Sequence, residues 1–449
     1  MTEPRARDTP LSFVVGLNLY LAAIYTNLAV AFGGFLIPGA LGLIGALFLL
    51  RSIRNLQSLI WIVLFLTASL LAGGSGAEMI GYRLPSWIQI VAALACAHIL
   101  LCGIDYRVML RKTLFAWMLF IAIGVAAEAT LPAVHQLSDS FRVWAYDGRF
   151  IYSDDMRDLG EYGRVRPKLF TQEPSHISKS LIVFGAGWYL LARGRSKRFW
   201  WLLSCVVVTT VFLRSPFVLL AVPMAWLLDR SASGKRLPAA GIPVAVTAAG
   251  LVALQVFSAR FESIQSGRDL SFVSRYQAPF EVTSRVLERH PLFGVGIGAK
   301  EALWDDMAAA LGPFFSASYL RKVYLDHFNN AFANSLMFFG VVGAIIFYIL
   351  VARWAKSFGV PTFAALLVVL VFFQLDGALE GIRMWSSVAL IWGCYILSRR
   401  LADYGGPEGA AGGIGRCRPV VVGPYGDRVG RRDPRRVGDT IRYGSGRNP

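Results

Sequence analysis

The amino-acid sequence predicts an all-α polytopic integral membrane protein with about twelve transmembrane helices, both termini in the cytoplasm and two large periplasmic loops. Hydrophobic residues make up 55% and charged residues 16% of the 449-residue chain, and the mean hydropathy is +0.52. These values are typical of membrane proteins rather than soluble domains. Apolar runs near the length that crosses a ~30 Å hydrocarbon core recur along the chain, and they lack the alternation of β-strands.

The predicted spans are near 11–31, 35–50, 57–74, 86–104, 113–131, 176–192, 199–213, 215–228, 238–257, 329–351, 361–377 and 384–398. Basic residues mark cytoplasmic connections, and with the N-terminus inside every predicted inside connection is basic. The first run carries no small-residue cleavage site, so we expect a retained span rather than a signal peptide. The net charge of +17 therefore reflects inside loops and does not indicate a nucleic-acid partner.

The predicted organisation has six segments. They are helices 1 to 5 in 1–131, a first periplasmic loop in 132–175, central helices in 176–257, a second periplasmic loop in 258–328, C-terminal helices in 329–398, and a disordered basic cytoplasmic tail in 399–449. Both loops are much longer than a connection requires, and long ordered loops usually carry function.

The hairpin between Arg198 and Asp229 is short for two spans. Limbs of about fifteen residues rise only ~22 Å, so we expect the turn at Arg214 to lie below the outer membrane surface, at the floor of a cavity. An arginine at that depth needs an anion or a carboxylate, which makes Arg214 a candidate binding residue. The structural alternative is a snorkelling side chain, or a pair with Glu128 or Glu380.

The second loop contains Arg275, the stretch His290-Pro-Leu-Phe-Gly-Val-Gly-Ile-Gly298, and then Asp326-His327-Phe-Asn-Asn330 at the start of the next span. A nucleotide-binding loop is excluded, because the lysine that follows the glycines precedes Glu301 rather than Ser or Thr. Backbone amides at Gly294, Gly296 and Gly298 could instead approach a sugar or a phosphate. The five cysteines have no paired metal-ligand spacing, so neither a disulfide framework nor a zinc site is expected. No cofactor is predicted.

These motifs, followed by Gly340-Val-Val-Gly343, resemble the O-antigen ligase and polymerase family. The Arg214-Ser-Pro turn is similar to a turn between two central spans of that family. The stretch Arg166-Pro-Lys-Leu-Phe-Thr-Gln-Glu173-Pro-Ser-His176 resembles the element before a span in its polysaccharide-polymerase branch. The resemblance covers roughly residues 160–345.

The resemblance implies a metal-independent glycosyltransferase of the bacterial inner membrane that moves a glycan from an undecaprenyl-pyrophosphate carrier to an acceptor hydroxyl at the periplasmic face. Its other implied partners are membrane lipid and a chain-length regulator and flippase of the same pathway. The expected product is O-antigen, capsule or exopolysaccharide.

Candidate residues follow from this chemistry. Arg214 and Arg275 are expected to bind pyrophosphate, because guanidinium forks match phosphate oxygens. His327 is the first candidate for the base that takes the acceptor proton, and Glu173 is the second. Further candidates for contact with the glycan or pyrophosphate are Arg166, His176, Gly294, Gly296, Gly298 and Asn330. Structural alternatives are a surface pair of Arg275 with Glu281 or Asp269, helix capping by Asp326 and Asn329, and a helix-start role for Glu173.

Three other functions stay open from the sequence. An O-antigen ligase would share the donor chemistry but transfer the glycan to lipid A core, and the 166–176 element favours the polymerase. A transporter of lipid-linked oligosaccharide would also have twelve spans, but we expect it to hold ionisable residues within its spans, and here they concentrate in the outer loops. A non-catalytic scaffold would have no need for Arg214 in the membrane floor.

Overall fold

The computed structural model describes residues 9–32, 35–50, 53–72, 77–146, 155–192, 195–234, 272–299, 303–317 and 330–404, with single positions at 262, 265, 269 and 320. In this part of the chain the protein is all-α apart from one short β-hairpin. The predicted span at 238–257, His327 and most of the tail lie outside the described residues. Within the predicted tail, residues 399–404 are helical rather than disordered, because the last helix continues through them.

The described helices are numbered here in chain order. They are α1 (Leu11–Thr26), α2 (Ala40–Leu49), α3 (Leu56–Ala72), α4 (Ala77–Gly103), α5 (Arg107–Thr130), α6 (Pro132–Ala145), α7 (Asp155–Tyr162), α8 (Pro174–Leu191), α9 (Arg195–Leu213), α10 (Ala221–Ala232), α11 (Ala278–Arg289), α12 (Trp304–Leu311), α13 (Ala331–Ser357), α14 (Thr362–Leu375) and α15 (Ile382–Tyr404). A 3-10 turn, Pro216–Leu220, precedes α10, and a π-turn, Val273–Gln277, precedes α11.

Four of the described helical segments are long and apolar enough to cross a membrane: Arg83–Gly103, Arg107–Thr130, Ser196–Leu213 and Ala331–Ser357. Shorter apolar helices are Leu11–Thr26, Ala40–Leu49, Leu56–Ala72 and Thr362–Leu375. The described chain is therefore that of an all-α membrane protein, whereas the count of twelve spans stays a prediction.

The first two predicted spans differ most from the structure. Helix α1 ends at Thr26, and the strands Ala29–Phe32 and Phe35–Pro38 form an antiparallel hairpin where helix was predicted. The β-branched and aromatic residues of this stretch suit strands as well as helices, and a short apolar run does not separate the two by periodicity. Helix α2 consequently has only 10 residues.

Helix α8 lies at the centre of the bundle and packs against α5, α9, α10 and α15. Every residue from His176 to Leu191 is buried. A helix that is apolar on nearly all sides needs neighbours on all sides, which explains its central place. Pro174 occupies its first turn, where a missing amide hydrogen costs no helical bond.

Polar contacts at one end of the bundle join residues that were predicted to lie inside. They are Arg54 Nη2 to the Cys102 carbonyl (3.2 Å), Asn55 Nδ2 to the Ser357 carbonyl (2.9 Å), Arg107 Nη2 to the Leu191 carbonyl (2.8 Å), and Arg198 Nη1 to the Tyr189 carbonyl (2.9 Å). The starts of α3, α5 and α9 therefore lie beside the ends of α4, α8 and α13. We call this the basic end. The N-terminus of α8 lies at the opposite end.

Candidate functional site

Arg275 and Glu173 form an ion pair between the two predicted outer loops. Arg275 Nη2 lies 2.9 Å from Glu173 Oε1 and 3.1 Å from Oε2. Ser175 completes the contact, because its Oγ donates to Glu173 and also lies 3.3 Å from the same guanidinium nitrogen. Both charged side chains are partly exposed, Arg275 by 22% and Glu173 by 30%. The two loops are thus joined by a charged contact that a ligand can reach.

The Glu173 pair replaces the surface pairs that were the structural alternative for Arg275. Glu281 instead accepts from Arg285 at 2.9 Å, four residues along α11. Asp269 Oδ1 accepts from the Phe272 amide at 3.1 Å, as a residue before a helical turn often does. Arg275 is free to point across to the other loop because it lies on the π-turn before α11.

A second group of buried charges continues from this pair into the bundle. His176 Nε2 lies 3.5 Å from Glu173 Oε1, and Lys179, one turn further along α8, places its Nζ 3.6 Å from Asp376 Oδ1. Arg383 binds Asp376 with two bonds, Nε at 3.0 Å and Nη2 at 2.8 Å. Ionisable groups therefore continue from Arg275 in the second outer loop, along the first turns of α8, to Arg383 at the start of α15.

Lys179, Asp376 and Arg383 were not predicted from the sequence. The available signal was an ionisable residue inside or beside an apolar run, which is rare in membrane segments unless it is paired or functional. Within the described residues, Arg383 Nη1 and His176 Nδ1 are buried and have no hydrogen-bond partner. Both atoms belong to this cluster and could bind a polar ligand group.

The two carboxyl groups of the cluster are strongly acidic. Burial alone raises the pKa of Glu173, but Arg275, then His176 and Lys179, outweigh burial and hold the pKa well below its usual range. Burial likewise raises the pKa of Asp376, and Arg383 and Lys179 lower it by more. Both groups are carboxylates at neutral pH. A carboxylate held this far below neutrality is a weak proton acceptor, so the geometry favours Glu173 as the partner that orients Arg275 rather than as the base.

Asn330 holds the Arg275 segment in place. Its side chain is fully buried and caps α13, with Oδ1 accepting from the Ala333 amide at 3.0 Å. Its Nδ2 donates to the Arg275 carbonyl at 3.1 Å and to Gln374 Oε1 at 3.0 Å. All of these contacts are within the protein, so Asn330 supports the site and does not itself face a ligand.

Arg214 lies at the end of α9 with an exposed side chain and a left-handed backbone, φ 49°. Helix α9 has 19 residues, which rise ~28 Å and exceed the expected limb of about fifteen residues. The depth of Arg214 in the membrane stays a prediction. Its Nη1 donates to the Tyr162 carbonyl, so the predicted pair with Glu128 or Glu380 is wrong, whereas its exposed side chain is compatible with snorkelling.

Arg164 is the arginine of the first loop that lies beside Arg214. Its Nη2 donates to the Val211 carbonyl near the end of α9, while Arg214 donates to Tyr162 at the end of α7. Burial first, and then the Arg214 charge, lower the pKa of Arg164. Among the described residues neither guanidinium has a carboxylate partner, so the pair suits an anion. The next residue of the turn, Ser215, accepts from Ser178 Oγ of α8 at 2.9 Å, which places the pair beside the first turns of α8.

Arg166, the arginine predicted from the sequence, is held by its own loop. Its Nε and Nη2 both lie 2.8 Å from Asp158 Oδ1, and its guanidinium carbon lies 4.0 Å from the centroid of the Tyr162 ring. Arg166 thus fixes the loop that carries Arg164, and its neutralised charge makes it less suited to an anion.

The expectation that the glycine loop frees amides for a ligand is wrong for Gly294 and Gly296. Their amides donate to the carbonyls of His290 (3.2 Å) and Phe338 (2.9 Å). Gly298 has φ 74°, and a Cβ there would lie 2.9 Å from the Arg83 carbonyl oxygen of α4. The glycines allow close backbone packing rather than an open nest.

Comparison with known proteins adds no family to these observations. No family model, curated protein or solved structure matches the chain. The resemblance to the O-antigen ligase and polymerase family therefore rests on the motifs quoted above.

Proposed function

We propose that the chain is a polymerase of lipid-linked polysaccharide repeat units, a glycosyltransferase that acts at the periplasmic face of the bacterial inner membrane. The observation that carries the proposal is the charged cluster of Arg275, Glu173 and His176 at one end of an apolar helical bundle. Two residues predicted separately for the same chemistry, from loops 102 residues apart in the chain, meet there. The substrate is undecaprenyl-pyrophosphate-linked oligosaccharide.

The proposed reaction needs a cation and a base. The acceptor hydroxyl oxygen bonds to the anomeric carbon, the bond from that carbon to the pyrophosphate oxygen breaks, and the electron pair leaves with the pyrophosphate. Arg275, oriented by Glu173, stabilises the growing negative charge, and Arg214 with Arg164 binds the same anion. The proton of the hydroxyl passes to a histidine. His327 is the first candidate, and His176 is the second because its Nε2 lies beside the Glu173 carboxylate while its Nδ1 has no hydrogen-bond partner among the described residues.

Two other functions have specific support. An O-antigen ligase would use the same donor site and transfer the glycan to lipid A core. Transport of the lipid-linked oligosaccharide is favoured by Lys179 and Arg383, since these charges do lie within the helices, contrary to the sequence argument against a transporter. An enzyme is favoured over a transporter, because the buried Lys179 and Arg383 lie next to the partly exposed pair of Arg275 and Glu173 at one end of the bundle.

The test is a reaction of purified protein with undecaprenyl-pyrophosphate-linked oligosaccharide, without added metal. We expect a ladder of longer lipid-linked glycans with wild type, and its loss with Arg275→Gln or Arg214→Gln. Arg285→Gln is the matched control, because among the described residues the Arg285 side chain pairs with Glu281, four residues earlier on the same helix face. Transfer only when lipid A core is added would establish the ligase. No transfer to either acceptor, with donor translocated in proteoliposomes, would contradict the enzyme and support transport.

A further inference from the structure

The break in helix α13 is closed by the glycine loop of the second predicted outer loop. Gly340 has φ 65° and ψ −175°, so the helix is interrupted there and its neighbouring backbone groups lose their helical partners. Residues 291–296 supply the replacements. The bonds are Val295 N to Met337 O (3.1 Å), Gly296 N to Phe338 O (2.9 Å), Val341 N to Pro291 O (2.9 Å), Val342 N to Leu292 O (3.1 Å) and Gly343 N to Leu292 O (3.2 Å).

The close approach requires glycine on both sides. A Cβ at Gly294 would lie 2.4 Å from the Met337 carbonyl oxygen, and a Cβ at Gly340 would lie 2.4 Å from the Leu292 carbonyl carbon. Such distances are far inside van der Waals contact. The two glycine motifs of the sequence are therefore the two halves of one backbone clamp.

The clamp lies near the middle of the helices. Gly340 is ten residues beyond the capping residue Asn330, which is ~15 Å along a helix. A second measure starts from the basic end, where Asn55 contacts Ser357. From there Ser69 is fourteen residues along, roughly 21 Å, and its Oγ accepts from the Ile297 amide at 3.2 Å. The distance from the basic end places the loop in the outer half of a ~30 Å hydrocarbon core.

The surface around the clamp is apolar. Leu292 is 56% and Phe293 62% exposed at the tip of the loop. Every exposed residue of α13 from Val341 to Ile349 is valine or isoleucine. On α3, which packs against α13, Trp61, Leu64 and Leu71 are exposed as well. From Ile60 to Ala72 of α3 and from Val341 to Ile349 of α13 every exposed position is apolar, and such a surface suits hydrocarbon rather than water.

We infer that residues 290–298 form a re-entrant segment whose tip, Leu292 and Phe293, contacts the acyl chains of the bilayer. Non-helical backbone is tolerated at that depth only when its polar groups are satisfied, and the clamp with α13 satisfies them. The segment follows α11 directly, and α11 follows the π-turn that carries Arg275. Anchoring in the bilayer thereby fixes the height of Arg275 relative to the membrane. The inference does not depend on the proposed reaction.

Photo-crosslinking in proteoliposomes tests this inference. The photoreactive amino acid p-benzoylphenylalanine replaces Phe293, with Ile345 as the lipid-facing comparison on α13 and Arg289 as the polar comparison at the end of α11. The vesicles contain phosphatidylcholine with a clickable acyl chain. We expect the label to attach to the variants at 293 and 345 and at least tenfold less to the variant at 289.

Attachment at 345 but not at 293 would place the loop outside the hydrocarbon and overturn the inference. Cross-linking of position 293 to a second copy of the chain, or equal labelling at 289 and 293, would overturn it too. Phe293 is 62% and Ile345 is 55% exposed, so substitution at either position leaves the buried core intact.

Discussion

The ion pair between Arg275 and Glu173 should stabilise the protein measurably, and a double-mutant cycle with Arg275→Gln and Glu173→Gln isolates its contribution. The pair is partly buried, and Glu173 also faces His176 and Lys179, so neither charge is screened as at an open surface. Fully exposed pairs couple by about 0–1 kcal/mol, and removing one partner of a buried pair costs about 3–5 kcal/mol. For this intermediate burial we expect a coupling free energy of about 1–2 kcal/mol.

The chain contains a control pair with the same shortest nitrogen-to-oxygen distance and greater exposure. Arg285 and Glu281 also lie 2.9 Å apart, but their side chains are 43% and 39% exposed. Their cycle should give about 0.3–0.5 kcal/mol. Both cycles can be measured as free energies of unfolding in mixed micelles titrated with sodium dodecyl sulfate. A coupling for Arg275 and Glu173 no larger than that of the control would refute the reasoning that the two loops are joined through this pair.

Three further predictions concern the elements that support the site. Gly340→Ala should lower the free energy of unfolding by at least about 2 kcal/mol, because the backbone conformation at Gly340 is nearly specific to glycine. Gly81→Ala is the control, since a Cβ at Gly81 would meet open space, and it should change the free energy of unfolding by less than about 1 kcal/mol. Asn330→Ala should cost about 2–4 kcal/mol through a lost cap and two lost buried hydrogen bonds, measured in the same titration. The pKa of Asp376 is lower in the folded chain than the unfolded value near ~3.9. The contribution of Asp376 to the free energy of unfolding is therefore complete above that pH and is lost as the pH falls further. Asp376→Asn should therefore be less stable at pH 7 and decline less below about pH 4; a wild-type stability that rises on acidification would contradict the Arg383 pair.

The sequence predicted the class of the fold and the ends of several helices, because composition and run length determine them. The predicted span 176–192 is close to α8, Pro174–Leu191, and the predicted span 361–377 is close to α14, Thr362–Leu375. The hairpin at 29–38 was not predicted, since a short apolar run is compatible with helix and strand alike.

The candidate site was only partly predictable. Glu173, His176 and Arg275 were identified by residue type, but no local pattern shows that residues 102 positions apart will pair. Arg164 and Arg166 lie two residues apart in the same loop, so the sequence does not distinguish their roles. In the structure Asp158 pairs with Arg166, and Arg164 lies beside Arg214. Those choices depend on tertiary contacts rather than on local propensity.

The two glycine motifs were recognised in the sequence, but their structural role was not. Each was visible in the sequence, where Gly294 was expected to expose its backbone amide to a ligand and Gly340 stood only in the motif that carries the family resemblance. Their shared purpose is a clamp between a loop and a broken helix, which only the three-dimensional arrangement reveals.

The most direct test of the proposed site is the rate at which purified protein consumes undecaprenyl-pyrophosphate-linked oligosaccharide, compared between Arg275→Lys and Arg285→Lys. Lysine keeps the charge but loses the planar fork, so only a residue that binds pyrophosphate oxygens through that fork should be sensitive. We expect Arg275→Lys to slow consumption by roughly 10²-fold, the scale of a lost transition-state donor, and Arg285→Lys to leave it unchanged. Equal rates for the two variants and wild type would contradict the assignment of Arg275 to the reacting pyrophosphate.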